Sequence, residues 1–366
     1  MRYSFRRTLV LLRQDSIILG VVVLAVLWAG VYLTFRHAVA SDRDDAIKAS
    51  QTLTQLLEET TQRSIGEIDK SLIYLRRQIE EFQDTVDFHR LVTRHDILSE
   101  IIVQAAVIDA HGIMRASSAS SGPATPIDLS DREHFRFHAG TTTDDLFISK
   151  PMIGRASGKW SIQLTRKFKN RDGGFGGVVV VSLDPQHLTH FFTSIDRGPR
   201  GAIALVGLDG TVRASGGDPA AGVFDLGEDI ADTDLFRRFG EAEAGTFVDD
   251  GIGSGANSGQ HGTRRLITYK RARGRDLIIV NSLSEPDVFV EAYRTLQGHS
   301  LIAAILSAII IGVCIRSGRD QLRLKILQSR TRRSQKRALR SAEQLRLTLE
   351  NISQGIILVR PDLSIP

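Results

Sequence analysis

The sequence predicts an α+β architecture. Two tandem units, each an antiparallel sheet with helices packed to one face, ride on a long N-terminal helix between two membrane-spanning helices. Three observations carry this reading. Two uncharged apolar runs stand near the two ends of the 366-residue chain. An apolar pattern at helical spacing follows the first run. A strand-rich segment then occurs twice, about 100 residues apart.

Ser16 to Phe35 holds twenty residues without a charge. As a helix rising 1.5 Å per residue it covers ~30 Å, the thickness of the hydrocarbon core. A cleaved signal sequence is the rival reading, favoured by Arg2, Arg6, Arg7, Arg13 and by Ala38-Val39-Ala40. The run exceeds the roughly 7–15 residues of a signal core, and Trp28 and Tyr32 suit an interfacial anchor. Ser300 to Ile315 is shorter, but the uncharged stretch begins after Arg294, so a span over 296–315 fits. Ten Lys and Arg between Arg316 and Arg340 follow it as a stop-transfer pattern. Basic flanks before the first span and after the second place both termini in the cytoplasm and residues ~36–296 outside, the periplasm of a double-membrane bacterium. The formal charge of +5 is concentrated beside the second span, which points to a membrane surface and away from nucleic acid. A single cysteine, Cys314, excludes an internal disulfide.

Beyond the first span, Ile47, Leu53, Leu57, Thr61, Ile65, Ile68, Leu72, Leu75, Ile79 and Phe82 recur mostly at three and four residues. They form one face of a helix able to pack on its own domain and on a partner chain, so a homodimer is expected. Strand signals begin at Ile101–Asp109, turn at Ala110-His111-Gly112 and resume to Ser117. Leu146–Ile153 reads as a strand, and Trp160–Lys169 with Gly177–Leu183 as a hairpin around a Gly-rich turn. Asp184 and Pro185 then open a helix to Ile195 as N-cap and first residue.

The repeat matches Val107–Ser117 to Val206–Ser215 with one residue deleted, and Val179–Pro185 to Ile278–Pro286. The second unit feeds a helix, Pro286–Leu296, into the second span. The resulting divisions are a basic tail over 1–15, a span over 16–35, and a long helix with its connection over 36–100. The two units follow over 101–196 and 197–295, then a span over 296–315, a basic signalling helix over 316–346, and a final segment over 347–366.

This arrangement resembles the double Cache (tandem PDC, PAS-like) sensor regions of bacterial histidine kinases, diguanylate cyclases and chemoreceptors. Its sharpest marker is Asp128-Leu129-Ser130-Asp131-Arg132-Glu133-His134-Phe135, similar to the family's D-x-S-x-R-x-[WYH]-[FY] segment. Phe147-Ile148-Ser149-Lys150-Pro151 and Gly154–Trp160 are the next best. The resemblance implies that the membrane-distal unit, the first, holds a ligand between its sheet and the loops above. It also implies that Arg132 grips a carboxylate and that His134 and Phe135 line the pocket. Amino-acid-sensing members carry Tyr where Ile127 stands, Asp where Ser182 is placed, and Trp in place of His134. These departures argue against an amino-acid ligand.

The residues themselves agree. Arg132, His134, Lys150 and Arg155 are cationic or can become so, Gln163 and Ser182 are neutral hydrogen-bonders, and Trp160 is pocket wall or core. Arginine's planar fork matches carboxylate geometry. A basic pocket without an acidic partner suits a small anion, and no cofactor is implied. Surface ion pairs and loop caps are the bland alternative.

Other chemistry finds little support. His134 with His138, and His187 with His190, have helix-face spacing but lack further ligands, so no metal site is expected. Gly251–Gly262 reads as a flexible hairpin loop. Asp144-Asp145 and Asp249-Asp250 are neighbours whose side chains diverge in a strand. Neither a nucleophile motif nor G-G-D-E-F or E-A-L occurs, and no histidine follows His299. No enzymatic activity is therefore expected of these residues. Gly318 is the one helix breaker in the basic segment. Leu345–Ile365 resembles the start of a PAS domain, with a strand over Gly355–Val359, so the chain reads as ending inside that domain. The alternative reading is a piece of a cyclase or kinase whose catalytic domain lies beyond it.

Overall fold

The computed structural model describes residues 4–82, 102–118, 126–195, 198–217, 224–250 and 264–355. The expected loop at Gly251–Gly262 and the strand and turn after Gly355 lie outside the described residues. The chain divides into two compact units, one of residues 1–38 and 293–366, the other of residues 39–292.

Helix α1 (Ser4–Phe82) is continuous through the first apolar run, and α6 (Val290–Gly355) is continuous through the second. Both are long and apolar enough to cross a membrane. In the first unit Trp28 Nε1 donates to Ser307 Oγ at 3.2 Å, and the rings of Phe35 and Tyr293 lie 5.9 Å apart. A Cβ on Gly20 would lie 2.6 Å from Cys314 Sγ, so glycine permits that close approach. Leu19, Val21, Leu301 and Val313 are more than half exposed, an apolar surface that suits lipid better than water. The helix runs through Gly318; one glycine costs only about 1 kcal/mol and does not end it.

The larger unit contains two sheets of matching topology. In the first, β1 (Ile102–Asp109), β2 (Met114–Ser117), β3 (Phe147–Ile148), β5 (Trp160–Lys169) and β6 (Phe175–Leu183) are ordered 2-1-6-5-3, and β4 (Met152–Ile153) pairs with β5. In the second, β7 (Ala202–Gly207), β8 (Val212–Gly217), β9 (Ala244–Asp249), β10 (Arg265–Arg271) and β11 (Leu277–Ser284) are ordered 8-7-11-10-9. All pairings are antiparallel. The expected Leu146–Ile153 strand is split around Pro151, which has no N–H for a ladder. Short helices are α2 (Glu133–Gly140), α3 (Pro185–Ser194), α4 (Asp234–Phe239) and α5 (Glu285–Val288). Asp184 caps α3 as expected, accepting from Gln186 N. The helix expected over Pro286–Leu296 is instead α5 followed by α6.

The repeat aligns without the expected deletion. Gly112 and Gly210, at φ 85° and 79°, close the same turn: each donates to the carbonyl three residues before it, Asp109 and Gly207. A register shift falls at the matching point in both sheets, between Val107 and Ile108 and between Leu205 and Val206. Asp109 therefore matches Gly207, and the bridges Ile113–Asp128 and Thr211–Asp229 also match. Beyond them Asp128–Phe135 corresponds to Asp229-Ile230-Ala231-Asp232-Thr233-Asp234-Leu235-Phe236.

Helices cover both faces of the sheets, not one. The α1 side chains Leu57, Ile65, Ile68, Leu72 and Leu75 pack in one core with Val107, Leu164 and Val181 of the first sheet and Ile203, Leu205 and Ile279 of the second. Each such fully buried side chain contributes roughly 1.5–3 kcal/mol. The opposite faces hold separate cores, around Ile108, Met114, Phe135 and Val180 in the first repeat and around Phe239, Ile267 and Tyr269 in the second. Asp69 of α1 ties both repeats together, accepting from Arg166 Nε at 2.5 Å and from Arg275 at 3.1 Å. Burial alone would raise its carboxyl, but these two arginines outweigh it and hold it below the usual range.

Candidate functional site

On the face of the first sheet away from α1, a cavity of about 40 Å³ lies between the strands and the loop before β5. Its floor is a polar row across β1, β6 and β5. Ser182 Oγ donates to Gln163 Oε1 at 2.6 Å, Gln163 Nε2 to Ser161 Oγ at 2.8 Å, and Gln104 Nε2 to Ser117 Oγ at 2.7 Å. These side chains are buried yet bonded, which fixes their orientation. Gln104 was not among the residues the sequence singled out. Its place beside Ser182 follows from strand pairing, which no local motif carries.

Five of the eight expected residues line this cavity: Arg132, His134, Arg155, Gln163 and Ser182. Arg132 stands at the N-cap of α2 and makes no side-chain cap bond. Its guanidinium meets Met152 Sδ at 3.9 Å and the Ile153 carbonyl at 3.4 Å. Arg155 is spoken for: its two terminal nitrogens each contact an Asp131 oxygen at 2.9 Å, and one also reaches the Asp128 carbonyl. It straps the loop to the Asp128–Arg132 turn. His134 is 4% exposed, and burial together with the Arg132 charge pushes its pKa down to about 4. At neutral pH it is an uncharged wall of the cavity, the neutral one of the two forms the sequence left open. Its Nδ1 has no hydrogen-bond partner among the described residues.

Three expected residues lie elsewhere. Lys150 Nζ is 3.6 Å from Asp209 of the second repeat, because Ser149 turns inward to bond Gln163 N. Phe135, next to His134 on α2, points into the core edge-on to Phe175 at 5.8 Å. Trp160 begins β5 opposite Ile153 and is 47% exposed. His138 bonds Thr165 Oγ1 through Nε2 at 2.9 Å and does not join His134 at a common point. Among the described residues no group of three or more His, Cys, Asp or Glu is placed to hold a metal.

No protein-family model matches the sequence, and no curated protein matches it. Solved structures do resemble it. The extracellular domain of rpHK1S-Z16, a protein described as a histidine kinase, is 22% identical with a TM-score of 0.58; the match covers 68% of this chain and 98% of that one. The ligand-binding domain of the Pseudomonas aeruginosa PAO1 amino-acid chemoreceptor PctB, solved with L-Arg, gives 14% and 0.52, covering 68% and 98%. That of the Pseudomonas fluorescens chemoreceptor CtaA, solved with L-isoleucine, gives 14% and 0.51, covering 69% and 98%. The double Cache resemblance thus holds for the fold: a long helix, two tandem antiparallel sheets and flanking apolar helices.

Proposed function

We propose that this chain is a two-pass membrane receptor whose first repeat binds a small carboxylate and signals through the helices entering the bilayer. The observation that carries the reading is Arg132. An N-cap position favours Ser, Thr, Asp or Asn, worth about 1 kcal/mol, and Thr233 at the matching place does cap its helix, accepting from Phe236 N. An arginine kept there without a cap bond or an ion pair among the described residues is a local sacrifice, and such sacrifices concentrate at functional sites. Among the described residues no acidic side chain lines the cavity, so a ligand ammonium finds no counter-charge there. This supports a carboxylate lacking the amino group bound by the chemoreceptors of similar fold.

A space of about 40 Å³ admits roughly one water, so ligand entry requires the loop before β5 to lift. The strap holding it, Arg155–Asp131, is half-exposed and cheap to open. The basic flanks of the two spans favour a periplasmic sensor with both termini in the cytoplasm. The exposed side of α1 offers a surface for a second copy. Differential affinity for the open and closed loop is what would move the helices.

The test is a thermal-shift measurement on the full chain in detergent with pyruvate, propionate and L-alanine. A keto or simple acid should raise Tm, L-alanine should not, and Arg132→Ala should remove the shift. A shift that survives in Arg132→Ala, or an L-alanine shift equal to that of pyruvate, overturns the assignment.

A further inference from the structure

A second cavity, about 250 Å³, lies on the α1 side of the sheets, where the two repeats meet. Ile65 and Ile68 of α1, Leu164 of the first sheet, Leu205 and Leu277 of the second, and Leu188 of α3 supply its apolar walls. An unfilled apolar space of this size destabilises a core. A smaller one, of roughly 150 Å³, already accepts a benzene-sized molecule.

One end of this cavity is charged. Arg213 lines it and is 5% exposed. Its terminal nitrogens pair with the Asp209 carboxylate at 3.0 Å and one also donates to the Thr211 carbonyl at 3.1 Å, while its buried Nε has no hydrogen-bond partner among the described residues. The placement depends on Gly207, where a Cβ would lie 2.8 Å from Arg213 Cζ. At the matching position of the first repeat stands Asp109, and Arg115, the counterpart of Arg213, is 64% exposed. Lys150 Nζ, 43% exposed and outside the cavity lining, also sits 3.6 Å from Asp209, so two cations share one anion. A buried guanidinium with one unbonded donor in the wall of an apolar chamber suits an anionic head on an apolar body. Thr61 and Ser64 of α1 add hydroxyls on the helix side.

We infer that this junction is a second ligand site, for an aliphatic or aryl monocarboxylate. At ~30 Å³ per water the cavity holds the volume of about eight waters, which sets the ligand at on the order of eight non-hydrogen atoms. Its occupant touches α1 and both repeats together, so it biases the same helix as the first site, and the two ligands alter each other's affinity reciprocally.

The probe is 4-methylpentanoate, with 4-methylpentan-1-ol as its uncharged counterpart, titrated by calorimetry and saturation-transfer NMR against the full chain in detergent. The acid should bind at least tenfold tighter than the alcohol. Leu188→Trp, at the half-buried mouth, should weaken the acid at least tenfold with Tm held within a few degrees. Arg213→Met should bring acid and alcohol to within about threefold of each other, and Arg132→Ala should still show a binding event that favours the acid over the alcohol at least tenfold. Absence of binding at millimolar acid, binding indifferent to Leu188→Trp, or loss of binding in Arg132→Ala overturns the inference. The last outcome would move the acid to the first site without harming the proposal made for that site.

Discussion

At positions matched by strand register, the first repeat carries Arg132, His134, His138, Gln163 and Thr165 where the second carries Thr233, Leu235, Phe239, Ile267 and Tyr269. The backbone scaffold is the same. The second repeat fills the face away from α1 with aromatic rings: Phe239 lies 4.9 Å from Tyr269, and Phe247 lies within 6.3 Å of both. The first repeat puts hydrogen-bonding groups there, with the Phe239–Tyr269 ring pair replaced by a His138–Thr165 hydrogen bond. Filling a core maximises stability, and lining it with polar groups around a cavity gives stability up for recognition. The difference is that one repeat braces that face with rings while the other lines a small cavity with polar groups, the feature on which the proposed binding role draws.

The largest effect expected from this contrast is in the brace. Phe239 is fully buried, so Phe239→Ala should cost about 3–5 kcal/mol in denaturant unfolding of the full chain. His138→Ala, at the matching place, should cost about half as much or less, because a smaller, half-polar ring is lost. Equal costs would mean the two faces are packed alike.

Much of the fold, though not this contrast, was legible in the sequence. The spans, the β5–β6 hairpin, the Asp184-Pro185 cap and the buried face of α1 rest on local signals: charge-free length, alternation, turn residues and 3.6 periodicity. Arg132 stood out through the motif around it. The Asp128–Phe135 repeat in Asp229–Phe236 was not seen, because only the two aspartates and the last Phe are identical in type. Lys150 and Trp160 were misplaced because where a side chain points depends on its partner strand, and Pro151 breaks the alternation between them. The junction cavity draws on α1, both sheets and α3, so no single segment announces it.

A middle-sized effect tests the protonation state of the first repeat. Burial lowers the pKa of His134 and of His138 from 6.5 to about 4. The unfolded chain therefore binds more protons between these values, and folding stability is full above pH 6.5 and falls as pH drops toward 4. At pH 5 each histidine should cost about 2 kcal/mol by linkage. His134→Leu, which installs the residue type of Leu235, should flatten roughly half of the decline between pH 7 and pH 5. An unchanged slope would show that His134 is protonated in the folded state at pH 5, and the cavity would then carry a second cation.

The smallest effect on stability separates recognition from bracing most cleanly. Gln163→Ile places the residue type of Ile267 in the polar row. It frees Ser182 Oγ and Ser161 Oγ from their bonds to Gln163 but adds apolar contact with little change of volume, so the net cost should be about 1 kcal/mol. Its effect on ligand response should be far larger, because the floor of the cavity loses both hydrogen-bonding ends of the amide. The pyruvate-induced Tm shift should disappear in Gln163→Ile while denaturant midpoints move little. A variant that keeps the full ligand shift would place the ligand away from the β5–β6 row, and the polar lining would then be a feature of how the first repeat folds.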